Sequence, residues 1–151
     1  MTVDTFICET QAKIYCAMAY DGYDMEKFSN TYLKSRFCER AMDRLYSRYQ
    51  YADEDESIER FMPEFEDKLT KSGYFLDNAV AYWIGYMYRY LQMKTNVSSK
   101  KLSDLVPYLT FYRSYIGLHT LDYDMAADKL IESCNIPILA DNSVKEIEKV
   151  W

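Results

Sequence analysis

The chain has 151 residues, of which 49% are apolar and 17% aromatic, so it has the size of one domain with a substantial core and is too apolar to be disordered throughout. Its net charge of −6 arises in residues 51–70, which hold eight acidic and two basic side chains, while the rest of the chain is balanced. Because binding of duplex nucleic acid requires a net basic face, we expect no nucleic-acid partner.

Hydrophobic periodicity predicts three helices in the first fifty residues. Apolar side chains recur at helical spacing over residues 5–20, and a glycine ends that helix. A second helix is predicted over residues 24–33, with Asp24 as its N-cap. A third helix is predicted over residues 35–49.

The third predicted helix carries an arginine at every fourth position: Arg36, Arg40, Arg44 and Arg48. A step of four residues turns about 400°, so the four guanidinium groups form one slanting row beside the buried face. Glu39 and Asp43 lie three residues after two of these arginines, within pairing distance on a helix surface. We interpret the row as ion-paired with these acids and with the acidic run that follows, or alternatively as part of a protein interface, where arginine is enriched.

The acidic run consists of Asp53, Glu54, Asp55 and Glu56. Such a run is ordinarily a solvated face; alternatively, it recognises a basic partner or imitates a phosphate backbone. Together with the arginine row, these carboxylates are candidate partner-binding residues. The run is predicted to be a loop or a helix start. A helix is expected to open at Ser57, and Pro63 is expected to break it or to begin a new one.

The longest apolar element, residues 78–94, has apolar side chains on every side and Asp77 as its N-cap. It is too short, too rich in tyrosine and too clearly interrupted by Arg89 to cross a membrane, so we expect no membrane association. A helix that is apolar all round is central to its domain, and Gly85 permits a neighbouring backbone to approach closely. The sequence therefore predicts an all-α fold, a single compact domain of about six to eight helices around this central aromatic helix.

Three shorter helices and a tail follow the central helix. Ser98 caps a short helix that ends before a proline, the next helix is ended by Gly117, and Asp122 caps the last one. We assign residues 1–134 to the helical domain and residues 135–151 to a C-terminal tail that is docked or flexible.

Arg89 and His119 are the candidates for a ligand hook. A charge inside an aromatic helix must be paired, so we expect Arg89 to bind an acid from another helix or to stack on a tyrosine. The alternative is an anion or ligand hook in an aromatic pocket. His119, the only histidine, is predicted in the loop that leads to the last helix near Asp122, where a structural role is more common than catalysis.

The sequence lacks the common motifs for catalysis, phosphate binding and metal binding. It has no GxSxG, no catalytic-cysteine signature and no glycine-rich phosphate loop, and its four cysteines form no CxxC pair or zinc-type spacing. We therefore expect no enzyme activity, no cofactor and no metal. No basic region followed by an apolar run begins the chain, so we expect a cytoplasmic protein with reduced, mostly buried cysteines.

Four segments together resemble an uncharacterised family of small bacterial all-helical proteins encoded near toxin–antitoxin or mobile-element genes. The segments are RLYSRYQYADE (44–54), AYWIGYMYRYL (81–91), SSKKL with the proline after it (98–107) and GLHTLDYDMAADKL (117–130). The likeness covers most of residues 5–133 and departs from the family at Tyr51, where relatives often have tryptophan. The resemblance implies a cytoplasmic helical protein of such a module and brings no catalytic residue with it.

The residues and the resemblance together favour a protein–protein interaction module, the antitoxin or accessory component of a bacterial toxin–antitoxin-like system. Its partner is then a protein, with homo-oligomerisation as an alternative assembly. A second hypothesis is an acidic inhibitor that imitates nucleic acid in defence or anti-defence. A third is a small-ligand-binding protein or enzyme that uses Arg89, His119 and a tyrosine pocket.

Overall fold

The structure is a computed structural model that describes residues 3–44 and 47–140, with only the backbone at residues 48 and 49. Seven α-helices occur in these ranges, and no strand does. The helices are α1 (Thr5–Tyr20), α2 (Met25–Leu33), α3 (Glu54–Phe65), α4 (Asn78–Thr95), α5 (Ser99–Leu105), α6 (Tyr108–Leu118) and α7 (Tyr123–Ser133). The predicted all-α fold and its number of helices are confirmed.

Six of the seven helices begin at a residue whose side chain caps the first turn. In each case a carboxylate or hydroxyl oxygen accepts a hydrogen bond from a backbone N–H that has no partner within the helix. The caps of α1, α2, α3, α4, α5 and α7 are Asp4, Asp24, Asp53, Asp77, Ser98 and Asp122. These local signals explain why most helix starts can be predicted from the sequence.

Helix α4 is the centre of the domain, as its all-round apolar sequence predicts. Eleven of its residues are buried, and α1, α5, α6 and α7 pack around it. The contact with α1 is very close, because a Cβ atom added to Gly85 would lie 2.8 Å from the ring of Tyr15 and 3.0 Å from the backbone oxygen of Gln11. The glycine at position 85 therefore permits the close approach of two backbones, as predicted.

Aromatic rings from α1, α2 and α3 form a continuous cluster in the core. Its fully buried members are Tyr15, Phe28, Tyr32, Phe61 and Phe65. Neighbouring rings mostly meet edge to face, for example Tyr15 and Phe28 with centroids 5.2 Å apart, the arrangement that the ring quadrupoles favour. The Tyr15 hydroxyl lies 2.7 Å from Ser29 Oγ, which satisfies its hydrogen bonding inside the core.

The predicted helix 35–49 is wrong in its extent. The chain is helical only to Met42 and finishes in a π-helical turn, Cys38–Met42, in which Asp43 N donates to Cys38 O at 2.8 Å. A short 3₁₀ helix, Arg48–Tyr51, follows. The extra residue in the π turn ends the regular helical spacing on which the predicted arginine row depends.

Two other boundaries also differ from the prediction. Helix α3 begins at Glu54, within the acidic run, and contains Pro63 two residues before its end at Phe65. Helix α6 continues through Gly117 and ends at Leu118. Proline near the end of one helix and glycine within another therefore did not act as the stop signals that were expected.

The described part of the tail is docked against the end of α4. Ile136 is buried, Leu139 N donates to Thr95 O at 2.8 Å, and Asn96 Nδ2 donates to Ala140 O at 2.7 Å. The rest of the predicted tail, residues 141–151, lies outside the described residues.

Within the described ranges, no helix is both long enough and apolar enough to cross a lipid bilayer.

Candidate functional site

Arg89 is the one charged side chain that is buried in the described part of the chain. All five of its N–H groups have partners. Nε and Nη2 donate to Gln11 Oε1 at 2.9 and 2.7 Å, and Nη1 donates to Asp43 Oδ1 at 2.6 Å and to Gln92 Oε1 at 3.0 Å. The remaining Nη2 hydrogen points to Cys38 Sγ at 3.1 Å. The predicted ion pair with an acid from another element is confirmed, and no N–H remains to hold a ligand.

Asp43 carries the negative charge that compensates the buried guanidinium of Arg89. Burial by itself lowers the pKa of Arg89, but its neighbours Cys38 and Asp43 raise that pKa above its ordinary value. Burial raises the pKa of the Cys38 thiol to about 12, so this thiol is neutral at physiological pH. The guanidinium is therefore a structural cation balanced by one carboxylate.

The helix that the predicted row of arginines requires ends at Met42, before Arg44 and Arg48. The side chains of Arg36, Arg40 and Arg44 are exposed, and no ion pair joins them to an acid in the described ranges. Asp43, which was expected to pair with an arginine of the row, instead pairs with Arg89. The side chain of Arg48 lies outside the described residues. The predicted self-neutralisation of the row is therefore wrong for the arginines that can be described.

A carboxylate of α3 binds the backbone, and not the guanidinium groups, of the segment that carries the arginines. Glu64 accepts hydrogen bonds from Arg36 N at 2.8 Å and from Phe37 N at 3.1 Å, which satisfies the first turn of that helical segment. Asp53 accepts a hydrogen bond from Glu56 N at 2.9 Å. The other acids of the run occupy the first turn of α3, where the helix dipole favours negative charge.

His119 is the C-cap of α6 and lies in the turn that leads to α7, so its predicted place in a loop before the last helix is confirmed. It is exposed, its Nδ1 lies 2.6 Å from Tyr115 O, and its ring stacks on Tyr115 at 4.2 Å. The nearby Asp122 caps α7. Since His119 is not among the partners of Arg89, the structure does not bring the two predicted hook residues together.

A surface that sequence reasoning missed centres on residues 69–77, between α3 and α4. This segment is tied to the turn between α1 and α2 by two backbone hydrogen bonds: Asp24 N donates to Thr70 O at 2.8 Å, and Ser72 N donates to Gly22 O at 3.0 Å. The segment therefore has a defined position although it contains no regular secondary structure.

The same turn supports the ring of Phe75. Gly22 has φ +78°, and a Cβ atom added there would lie 3.0 Å from Phe75 Cε1. The positive φ and the close ring both call for glycine at this position. Phe75 thus packs its edge on a glycine while 63% of it stays exposed.

The exposed aromatic and apolar side chains around this segment form what we call the aromatic surface. Its members are Tyr20, Tyr74, Phe75, Leu109, Tyr112 and Ile116, each at least 42% exposed. They come from the end of α1, the segment before α4, and the outer face of α6. Tyr20 and Ile116 are each 82% exposed, so little of their surface is used within the chain.

Two clefts run through the aromatic surface and share Leu76 as a lining residue. The first, of about 500 Å³, lies between Tyr20 and Phe75. The second, of about 250 Å³, we call the tyrosine cleft. It is lined by the start of α2, residues 72–76 and the start of α6, and its tyrosines are Tyr74, Tyr108 and Tyr112.

A signal for this surface is present in the sequence of α6. Tyr108, Phe111 and Tyr115 follow helical spacing and face the core, and a second apolar stripe, shifted by one residue, follows the same spacing. That second stripe consists of Leu109, Tyr112 and Ile116. Two apolar stripes on a helix that is not central indicate one buried face and one surface left for a partner.

No protein-family model, curated protein or solved structure matches this chain, so its site must be judged from its own geometry. The described residues contain no group of three or more side chains placed to hold a metal ion.

Proposed function

We propose that this chain is a protein–protein interaction module that binds its partner through the aromatic surface. The observation that carries the proposal is the presentation of Tyr74 and Phe75, both more than half exposed, on a segment that hydrogen bonds hold in place. Single exposed apolar side chains are normal in monomeric proteins, but a contiguous group of them is typical of a binding surface. Aromatic residues are enriched in such surfaces.

The anchoring of the segment supports the proposal energetically. A binding surface that is already ordered loses less conformational entropy on association than a mobile loop does. Clefts beside exposed rings also suit the pockets in which interface anchors are buried and desolvated. This chain has both features: hydrogen bonds hold residues 69–77 in place, and the first cleft and the tyrosine cleft lie beside exposed rings.

We further propose that the module is the antitoxin or accessory component of a bacterial toxin–antitoxin-like system and acts in the cytoplasm. This finer assignment is supported by the sequence resemblance of residues 44–54, 81–91, 98–107 and 117–130. Its consequence is that the partner is encoded beside the gene for this chain.

A second candidate function is inhibition by imitation of nucleic acid. It is favoured by the exposed carboxylates of Asp55, Glu56 and Glu59 at the start of α3. Charge reversal of these residues tests this function, and Asp53 is left unchanged because its loss would also remove the cap of that helix. Reversal of the three exposed charges to lysine should abolish inhibition of a nuclease-type target, and unchanged inhibition would exclude the idea.

Affinity capture with matched variants tests the main proposal. Wild-type chain, Phe75→Ser/Ile116→Ser and the control Tyr51→Ser are used as baits in extracts of the cells that encode the chain. Tyr51 is an exposed aromatic residue outside the aromatic surface, at 59% exposure. We expect the double variant to lose a partner that the control retains. Equal capture by all three folded baits would overturn the proposal.

A further inference from the structure

We propose that the tyrosine cleft binds an arginine side chain presented by the protein partner. The inference rests on the proposed function, since it takes the partner to be a protein, and it adds which side chain the surface recognises. Four observations support it: the aromatic walls, the size of the cleft, the solvent-accessible hydroxyl of Tyr108, and the carboxylates at its edge.

The walls of the cleft are tyrosine rings in fixed positions. The rings of Tyr108 and Tyr112 have centroids 6.4 Å apart and planes inclined by 28°. Tyr74 lines the same cleft as these two rings. Tyrosine faces attract cations through the ring quadrupole, and a flat guanidinium stacks on them better than an ammonium does.

The cleft has the size for one side chain. Its volume of about 250 Å³ is below the roughly 300–1,000 Å³ of clefts that hold drug-sized ligands or cofactors. A single extended residue of a partner is the occupant that fits such a space.

The hydroxyl of Tyr108 forms no hydrogen bond within the described residues, and solvent still reaches it although the residue as a whole is only 6% exposed. Burial raises the pKa of this hydroxyl, and the next causes are the nearby Tyr112, Asp24 and Glu26. Those three residues line the cleft together with Tyr108. An N–H of a bound guanidinium can donate to the oxygen of this hydroxyl in place of water.

The charges around the cleft select a cation. Asp24 and Glu26 line it, whereas Lys27 and Arg113, on the same two helices, do not. A cation between tyrosine faces and beside two carboxylates is stabilised by both, and an anion would be repelled. Since Arg113 is exposed, a second copy of this chain is the competing source of the arginine, and the test includes it.

Titration of the full chain with Nα-acetyl-arginine amide, followed by NMR, tests the inference directly. We expect saturable shifts of the backbone amides of Ser72, Leu76 and Leu109, and none with the neutral isostere Nα-acetyl-citrulline amide. The corresponding lysine amide should bind more weakly. Equal shifts from citrulline, tighter binding of lysine, or shifts confined to other regions would overturn the proposal.

Charge-removing variants provide the matched comparison. Asp24→Asn keeps a side chain that caps α2, and Glu26→Gln keeps the shape of its residue. Each should weaken binding of the arginine amide about threefold, and both together about tenfold, while Glu39→Gln on a distant exposed position leaves it unchanged. Wild-type affinity in the double variant would contradict the proposal.

Failure of this inference is separable from failure of the proposed function. If arginine amide does not bind but Phe75→Ser/Ile116→Ser still loses the partner, only the chemistry assigned to the cleft is overturned. If light scattering shows a dimer that Arg113→Gln dissociates, the arginine comes from a second copy and the assignment to a separate partner is overturned.

Discussion

Arg89 and Asp43 lie 46 residues apart in the chain, yet Nη1 of the first is 2.6 Å from Oδ1 of the second. Asp43 also accepts a hydrogen bond from Ser99 N at 2.9 Å and another from Ser99 Oγ. One carboxylate thus joins the central helix, the end of the π turn and the first turn of α5. This connection anchors the chain directly after the π turn in which the helical segment ends.

Removal of the negative charge at Asp43 should destabilise the fold strongly. Asp43→Asn leaves the guanidinium of Arg89 buried without a counter-charge, and breaking such a pair costs about 3 kcal/mol or more. Asp104→Asn is the control, because Asp104 pairs with Lys34 in an exposed ion pair worth about 1 kcal/mol at most. Urea unfolding of both variants measures the difference. Equal losses would show that Asp43 does not carry the buried charge.

Two glycine-to-alanine variants should have opposite effects. Gly85→Ala places a Cβ atom 2.8 Å from the ring of Tyr15, so we expect a loss of about 2 kcal/mol in the free energy of unfolding despite the better helix propensity of alanine. Gly117→Ala, also within a helix, meets nothing within 4 Å and should gain up to about 1 kcal/mol. Thermal unfolding of the two variants side by side measures both signs. A stabilised Gly85→Ala would mean that α1 and α4 are not in close contact.

The fold should lose stability in alkali, starting near pH 9. Burial raises the pKa of Cys8 and of Cys38 from the ordinary 9.0 to about 12, and it raises the pKa values of Tyr15 and Tyr32 above 10.0. Because the folded chain holds these protons to higher pH than the unfolded chain does, unfolding releases them and the free energy of unfolding falls as pH rises. Each thiol contributes about 1.4 kcal/mol per pH unit in this window.

The measurement is the urea midpoint between pH 7 and pH 11. Cys8→Ala should reduce the slope above pH 9, because the variant lacks one of the buried titrating groups. Cys134→Ala is the control, since this cysteine is only partly buried. A stability that stays constant from pH 8 to pH 11 would contradict burial of these groups.

Elements defined by local chemistry could be predicted from the sequence. Helices α1 and α2 have the predicted bounds, and the caps Asp77, Ser98 and Asp122 begin the helices expected of them. An N-cap side chain binds a backbone N–H two or three residues later, so the residues that determine this contact are close together in the sequence. The central position of α4 could be predicted for the same reason, because its apolar residues surround the helix axis.

Features defined by distant contacts could not be predicted. The spacing of the four arginines indicates one helix. It carries no information about the ion pair between Asp43 and Arg89, which lies on α4. Asp53, which belongs to the acidic run expected to meet guanidinium groups, instead caps α3. Glu64 accepts hydrogen bonds from the backbone N–H groups of Arg36 and Phe37. Charge pattern alone therefore gave the wrong partners for Asp43 and Asp53.

The aromatic surface illustrates the same limit. A sequence shows that Tyr74 and Phe75 are apolar, but not whether they turn inward. Their exposure depends on hydrogen bonds to a turn about fifty residues earlier, at Gly22 and Asp24. The paired stripes of α6 are the only part of this surface that the sequence displays locally.

Site-specific photo-crosslinking in the cells that encode the chain tests the role of the aromatic surface most directly. A photoreactive phenylalanine analogue replaces Phe75 in one strain and Tyr51 in another, since both side chains are more than half exposed and only Phe75 belongs to the surface. We predict one discrete protein adduct from position 75 that Ile116→Ser abolishes, and no such adduct from position 51. The same adduct from both positions, or none from position 75, would contradict the assignment of this surface to a protein partner.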